Sequence, residues 1–388
     1  MKTKILIFVD WYRPGYKAGG PIRSISNIVA HLNTEFDFFI VTRNTDYLET
    51  IPYSEVTSNK WNVVDGAKVY YIASKKQRKS TIKQLIEDVQ PDLIYCNSLY
   101  SPKFTLAPLK IAKKLNIKTV LAVRGMLSPG SLSVKSHKKK IFIAFMKAMG
   151  WFDETLFHAT SENEKKDIIA AFGNHSNIVV AQNLPEIIEL PFQNKPKTEN
   201  HLKMAFVGRI APEKNTLYAI EVLKKCKHTI ELDLYGAIYN YEYYQLCKRA
   251  IKQLPNNIAV KYKGAINHSL LNAILRSYQV LYLPSTGENF GHSILEGMAN
   301  SCVPLISTKT PWQNLASQKI GFDIDLDKPE QFSMTIDQLA EMNENEFNVM
   351  AKTAYAFVQT IMNNHHLKED YYQLFNHKNG MHNLELSK

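Results

Sequence analysis

The chain has 388 residues, too many for one ordinary core, so two domains of roughly 150 to 200 residues each are expected. Its 45% apolar and 21% charged content excludes an intrinsically disordered chain. A formal net charge of +11 points to phosphorylated substrates, anionic lipid or nucleic acid, and charge alone does not choose among them.

The N-terminus resembles a secretory leader only superficially. Its apolar run, residues 5–9, stops at Asp10 with no small-residue cleavage site, so it is expected to be a buried first strand. No segment approaches the roughly 20 apolar residues that span a bilayer. A helix is predicted over 22–32, strands over 36–42 and 68–72, and a helix over 81–89. A strand over 91–96, a helix over 105–115 and a strand over 119–123 follow. A long helical stretch, 135–152, precedes a short strand at 155–160. Ser161 with Glu164 forms a capping box that starts the next helix, and 177–181 is one more strand. This alternation implies a parallel sheet with helices on both faces.

Residues 184–200 hold three prolines and many polar side chains, which predicts a linker. After it the pattern restarts, with strands at 203–207, 231–235, 258–262, 280–283 and 303–306. Helices fall between them at 215–226, 241–253, 268–276 and 291–300, and 331–375 is a helical tail. The sequence thus divides into residues 1–183 and 184–362. The four cysteines, Cys96, Cys226, Cys247 and Cys302, are scattered without metal or redox spacing and are expected to be buried thiols. Two doubly wound sheets facing each other place a ligand in the cleft beyond their strands' carboxyl ends.

Three segments could carry chemistry there. Residues 284–297 follow a strand and open a helix at about Asn289, so free amides and the helix dipole create an anion site. Gly287 and Gly291 permit close approach of a phosphate, and Glu288 and Glu296 can accept hydrogen bonds from sugar and ribose hydroxyls. An acidic cap and an ordinary surface glutamate would give the same pattern. Residues 206–215 hold Gly208, Arg209 and Lys214 after the second half's first strand, where both cations could reach a diphosphate or simply be solvated. Residues 13–23 contain Gly19 and Gly20 between the first strand and first helix, either a phosphate cradle or a flexible loop. The spacing is neither G-x-G-x-x-G nor a Walker A element.

Taken together, Gly19-Gly20, the G-R-x-x-x-x-K element from Gly208 to Lys214 and the E-x7-E element from Glu288 to Glu296 resemble family 4 of the retaining glycosyltransferases. The resemblance covers roughly residues 5–310 and implies the α/β GT-B fold, two facing Rossmann-like domains around a cleft. It implies that Arg209 and Lys214 hold the donor diphosphate, that Glu296 holds ribose hydroxyls and that Glu288 contacts the donor sugar. Backbone amides of Asn289, Phe290 and Gly291 would meet sugar and phosphate, Gly19 and Gly20 would close over the phosphates, and Gly236 and Gly264 would lie near the base. A tail helix, about 363–388, would cross back to the first domain.

The matching segment for a family histidine is Val123-Arg124-Gly125-Met126-Leu127, and Arg-Gly-Met-Leu resembles a subgroup associated with capsule and exopolysaccharide synthesis. Arg124 would stand where the histidine stands and act electrostatically, since a guanidinium is no base at neutral pH. Capping a strand end is its structural alternative. The basic-then-apolar stretch 133–152, with Lys135, Lys138, Lys139 and Lys140, could lie on anionic lipid, pack its apolar side inward, or do both. No recognisable nucleic-acid module accompanies the charge.

These features predict an enzyme that moves a sugar from a nucleotide-sugar donor to a lipid-linked or polysaccharide acceptor. It would work without a metal or other cofactor in the cytoplasm, at the inner face of the membrane. The alternatives are a non-catalytic polysaccharide- or membrane-binding scaffold and another GT-B enzyme such as a sugar-nucleotide epimerase.

Overall fold

A computed structural model of the chain describes residues 2–128, 131–132, 136–174 and 177–376. Two sheets organise it. The first has eight strands: β1 (Thr3–Val9), β2 (Phe36–Arg43), β3 (Trp61–Val64), β4 (Ala67–Ile72), β5 (Leu93–Asn97), β6 (Lys118–Ala122), β7 (Leu156–Ala159) and β8 (Ile178–Val180). Their order is β3-β4-β2-β1-β5-β6-β7-β8, and only the β3–β4 pairing is antiparallel among the described strands.

Period-two alternation sends the side chains of β1 into two separate cores. Ile5, Ile7 and Val9 join one with Ile25, Ile28 and Leu32 of α1 (Gly20–Leu32). Leu6 and Phe8 join the other with α2 (Lys79–Val89), α3 (Ala107–Leu115), Met146 of α4 (Ser136–Ala148) and α5 (Glu162–Phe172). Burial on both faces explains why these strands are continuous apolar runs.

The second sheet has order β11-β10-β9-β12-β13-β14, all parallel. Its strands are β9 (His201–Val207), β10 (Thr229–Tyr235), β11 (Ile258–Gly264), β12 (Val280–Leu283), β13 (Val303–Ser307) and β14 (Phe322–Ile324). Around it lie α6 (Thr216–Val222), α7 (Tyr241–Ile251), α8 (Leu271–Leu275), α9 (His292–Ala299), α10 (Pro329–Glu341) and α11 (Glu344–Met362). The last described helix, α12 (His366–Asn376), belongs to the first core: Leu367, Tyr371, Leu374 and Phe375 pack there, with Phe375 5.3 Å edge-on to Phe36. Residues 377–388 of the tail lie outside the described residues.

Two strands, β3 and β14, are absent from the sequence reading. β3 is a half-exposed edge with no apolar run, joined to β4 by Asp65-Gly66, both at positive φ as a two-residue hairpin requires. β14 has only three residues. The capping box at Ser161 is half correct. The Ser161 hydroxyl accepts from the Glu164 amide, but the Glu164 carboxylate accepts from Thr160 and Gly125 rather than from the cap residue. The linker is not loose. Lys195, 1% exposed, donates to the carbonyls of Leu275 and Arg276, and Lys197 donates to that of Ala340. The four cysteines are buried free thiols.

Candidate active site in the cleft

Two helix starts meet between the sheets. Helix α1 is capped by Gly19 at φ 71°, and α9 by Gly291 at φ 80°. Neither cap has a side chain to satisfy the first amides. The α9 start keeps donors and its positive dipole for an anion, whereas at α1 Pro21 has no N–H and Ile22 and Arg23 donate to Gly19 O, which leaves the Gly20 amide. Nothing lies within 4 Å of a side chain added at Gly19 or Gly20, so this loop borders open space. Gly291 is crowded instead, by Ile294 at 2.8 Å and the Trp312 indole nitrogen at 3.1 Å. The helix begins at His292, later than Asn289, because the loop is pinned first: Thr286 N–H donates to Glu213 O, Glu288 N–H to Lys309 O, and Trp312 Nε1 to Phe290 O. The amides of Asn289, Phe290 and Gly291 donate to no protein acceptor among the described residues.

One turn into each helix the domains are tied together. Arg23 of α1 reaches Glu296 of α9 at 2.8 Å, and Ser24 Oγ lies 3.2 Å from His292 Nε2. Every residue of α9 is buried, which fits a helix that is mostly apolar and packed on all sides. Glu296 is 1% exposed, and Arg23 occupies one of its carboxylate oxygens. Its second oxygen takes His268, which also lies 3.2 Å from Glu186. Burial would raise the Glu296 pKa, but Arg23 and His268 outweigh that and hold it at about 2. Burial would lower the His268 pKa, but the carboxylates of Glu186 and Glu296 hold it at about 8. His292, by contrast, is pushed down to about 3 by burial and is neutral.

Glu186, His268 and Glu296 are the one group among the described residues whose potential metal-ligand atoms converge, all within 4.8 Å. The group fits a divalent ion poorly. Arg23 already supplies a cation to Glu296, and the raised pKa of His268 keeps a proton on a would-be ligand.

The second domain supplies the cations. Lys214 Nζ contacts both oxygens of Glu288, at 2.5 and 2.7 Å, bringing the G-R-x-x-x-x-K and E-x7-E elements together. Arg209 pairs with Glu213 at 3.0 Å and lies over the Tyr239 ring, rather than standing free for a phosphate. That pair is about a third exposed, and such pairs contribute only about 0–1 kcal/mol, so an incoming diphosphate can take the guanidinium. Gly208 packs against the Lys214 stem. Gly264 borders open space, whereas Gly236 does not. A side chain at Gly236 would fall 1.9 Å from Gly208 O, so glycine is required here for close packing of the β9 and β10 ends.

Arg124 follows the end of β6. Its Nε donates to Asn97, one terminal nitrogen to Asn183 and the other to the Tyr95 hydroxyl. It thus ties the ends of β5 and β6 to Asn183, just before the linker, and all three acceptors lie in the first domain. Its backbone lies at φ 53° and that of Gly125 at φ 72°, a turn that brings Gly125 beside Asn289 of the other domain. There Glu164, 3% exposed, accepts from Thr160 N–H and from Gly125 N–H, and Thr160 Oγ1 is 3.0 Å from Asn289. Arg23, His268, Glu186 and Glu164 were thus missed as site residues. Only Arg23 had a signal, a charge one turn after the glycine pair; partners 273 positions apart leave no local pattern.

Two facing doubly wound sheets, with paired helix starts and a lysine–glutamate contact in the cleft, define a glycosyltransferase fold of the GT-B class. Residues 187–357 match the family model described as Glycosyl transferases group 1. Among solved structures the chain is similar to Anabaena Alr3699/HepE in complex with UDP and glucose, with TM-score 0.71, 16% identity, and coverage of 96% of this chain and 99% of that one. It is 24% identical over 217 residues to the GtfA subunit of a UDP-N-acetylglucosamine–peptide N-acetylglucosaminyltransferase from Streptococcus agalactiae, covering 52% of this chain and 40% of that protein. It is 29% identical over 135 residues to a 2-deoxystreptamine N-acetyl-D-glucosaminyltransferase from Niallia circulans, covering 34% of each. The chain therefore spans less than half the length of the curated relatives it matches.

Proposed function

We propose that the chain transfers a sugar from a nucleotide-sugar donor to a hydroxyl of a lipid-linked or polysaccharide acceptor in surface polysaccharide synthesis, with retention of anomeric configuration. The observation that carries this reading is the convergence of two glycine-capped helix starts and Lys214 with Glu288 in one cleft. The acceptor oxygen bonds to the anomeric carbon as the bond from that carbon to the diphosphate oxygen breaks. The diphosphate leaves with the electron pair, and its oxygen on the same face takes the acceptor proton. Lys214, Arg209 and the free amides of the α9 start take up the developing negative charge in place of a metal. Glu288 stands beside the sugar. Glu296 can receive ribose hydroxyls only once Arg23 has moved from it. The UDP and glucose bound by the similar Anabaena protein support a uridine nucleotide donor.

A thermal-shift screen of UDP- and GDP-sugars in the presence of EDTA tests this. A ligand that binds only the folded state raises the melting temperature, so one nucleotide sugar is expected to stabilise the protein with the chelator present. Loss of that shift on adding EDTA would remove the metal-free scheme, and no shift with any nucleotide sugar would remove the donor site.

The same reading sets the protein against the inner face of the cytoplasmic membrane. Both predicted uses of the basic helix are compatible with α4. Met146 packs inward, while Ile141, Phe145 and Met149, four residues apart, are 70%, 58% and 60% exposed. Lys138 and Lys140 are exposed beside them, whereas Lys139 is held by the Ser131 carbonyl and the Tyr100 ring. Lys135 lies outside the described residues. No helix among the described residues is long and apolar enough to cross a membrane. Cosedimentation is expected with phosphatidylglycerol vesicles and not with phosphatidylcholine ones. Each of Lys138→Gln and Lys140→Gln is expected to weaken it about fivefold, from about 1 kcal/mol per lysine.

A further inference from the structure

The carboxyl ends of β1, β2 and β4 carry a cluster that the donor site does not use. Arg43, at the end of β2, is fixed by Asp10, whose Oδ1 accepts from its Nε at 3.1 Å and from NH2 at 2.6 Å. Its guanidinium carbon lies 5.2 Å from the ring centres of both Trp11 and Phe104. A guanidinium held by two rings and a carboxylate is pre-organised, and its remaining nitrogen is the one left to meet a ligand; the side chain is 29% exposed. That nitrogen points at Gln77 Oε1, 3.4 Å away, and Lys103 Nζ approaches the same oxygen at 3.3 Å.

Two cations thus share one neutral, buried amide oxygen, at distances longer than the roughly 2.7–2.9 Å of a charge-assisted bond. Asp10 offsets one of the two charges. Lys75, Lys76 and Arg78, on the turn that carries Gln77, are exposed and make the local field more positive. The cluster lies beside the junction of β1 with β5, where strand order reverses, the position at which such sheets bind ligands. It is also continuous with the donor loop. Trp11 stands edge-on to Tyr47 at 4.9 Å, Tyr47 stacks on Tyr239 of the second domain at 6.3 Å, and Arg209 lies over Tyr239.

We propose that Asp10, Trp11, Arg43, Gln77 and Lys103 form an acceptor subsite for an anionic saccharide, with Arg43 and Lys103 binding a phosphate or carboxylate on the acceptor and Trp11 and Tyr47 offering their rings to the sugar. This rests on the transferase reading, in which the first domain holds the acceptor. The acceptor is then a charged glycan and not a neutral one, which accounts for part of the chain's excess of basic residues.

The test is quenching of tryptophan fluorescence at low ionic strength, with glucose 1-phosphate, glucuronate and neutral glucose as probes and the full chain as receptor. Trp11→Phe identifies the responding ring. At least one anionic sugar is expected to quench Trp11 while glucose does not, and the better of the two tells phosphate from carboxylate. Lys103→Gln, an exposed substitution, is expected to weaken that binding roughly tenfold, and Arg43→Lys by a similar factor with Asp10 still paired. Lys214→Gln is expected to leave it unchanged. Equal quenching by glucose, no quenching by any probe, or binding that follows Lys214 and ignores Lys103 would each overturn the subsite. Nucleotide-sugar binding measured on the same variants separates this outcome from failure of the donor site, since Lys103→Gln leaves the donor loops untouched.

Discussion

Lys214→Ala is expected to cut sugar transfer at least about a hundredfold, the scale set by losing one pre-organised charge stabiliser, about 2.7 kcal/mol or more. The ammonium has two tasks in this cleft. It neutralises Glu288, whose side chain is 9% exposed and which it contacts through both oxygens, and it meets the departing diphosphate. The two are separable. Lys214→Ala alone leaves a nearly buried carboxylate without its cation, which costs stability as well as rate. Lys214→Ala combined with Glu288→Gln removes that cost but not the need for a cation on the leaving group. Turnover and thermal unfolding measured together on both variants should therefore show stability returning in the pair while transfer stays low. Near-normal turnover in the single variant would end the donor-site assignment.

Glu296→Gln is expected to be the most damaging single change to the closed arrangement. It strips the negative charge from between Arg23 and a protonated His268, and breaking a buried pair of this kind costs about 3–5 kcal/mol. A lowered melting temperature and a larger radius of gyration in X-ray scattering are the expected signs; unchanged values of both would show that the contact holds nothing. The contact is also pH-dependent. His268 has a folded pKa of about 8, above its ordinary value near 6.5, so its contribution is complete below about 6.5 and is lost as pH rises through 8. Glu296 has a folded pKa of about 2, below its ordinary 4.5, so its contribution is present above 4.5 and is lost as pH falls through 2. The tie is thus fully made between about pH 4.5 and 6.5. His292 and His158, both pushed down to about 3, oppose folding in acid, so the informative quantity is a difference. The gap in melting temperature between the protein and His268→Asn should shrink from pH 6 to pH 9.

Much of the architecture was legible because parallel strands buried on both faces have to be apolar runs, and those runs are where β1, β5, β9, β12 and β13 lie. The half-exposed edge β3 and the three-residue β14 lack that signature, although Asp65-Gly66 was an available turn signal. In the cleft, Gly19, Lys214, Glu288 and Gly291 are positioned by local loop and helix-start rules, and those rules are written in short segments. What the polar side chains touch is not. Arg124 finds its acceptors on β5 and at Asn183, which only the folded chain brings together. Glu296 is legible as a member of its helix but its depth is not, because the helix that covers it lies at the other end of the chain. Gly236 and Gly208 similarly meet only because β9 and β10 are neighbours.

The polypeptide passes between the two domains twice, once through the linker at 184–200 and once through the short stretch between α11 and α12. A body suspended from two points can swing like a shutter about the line joining them, but cannot easily slide or spin. Opening of the cleft should therefore follow a single arc, delivering the same two loops to the same register at each closure.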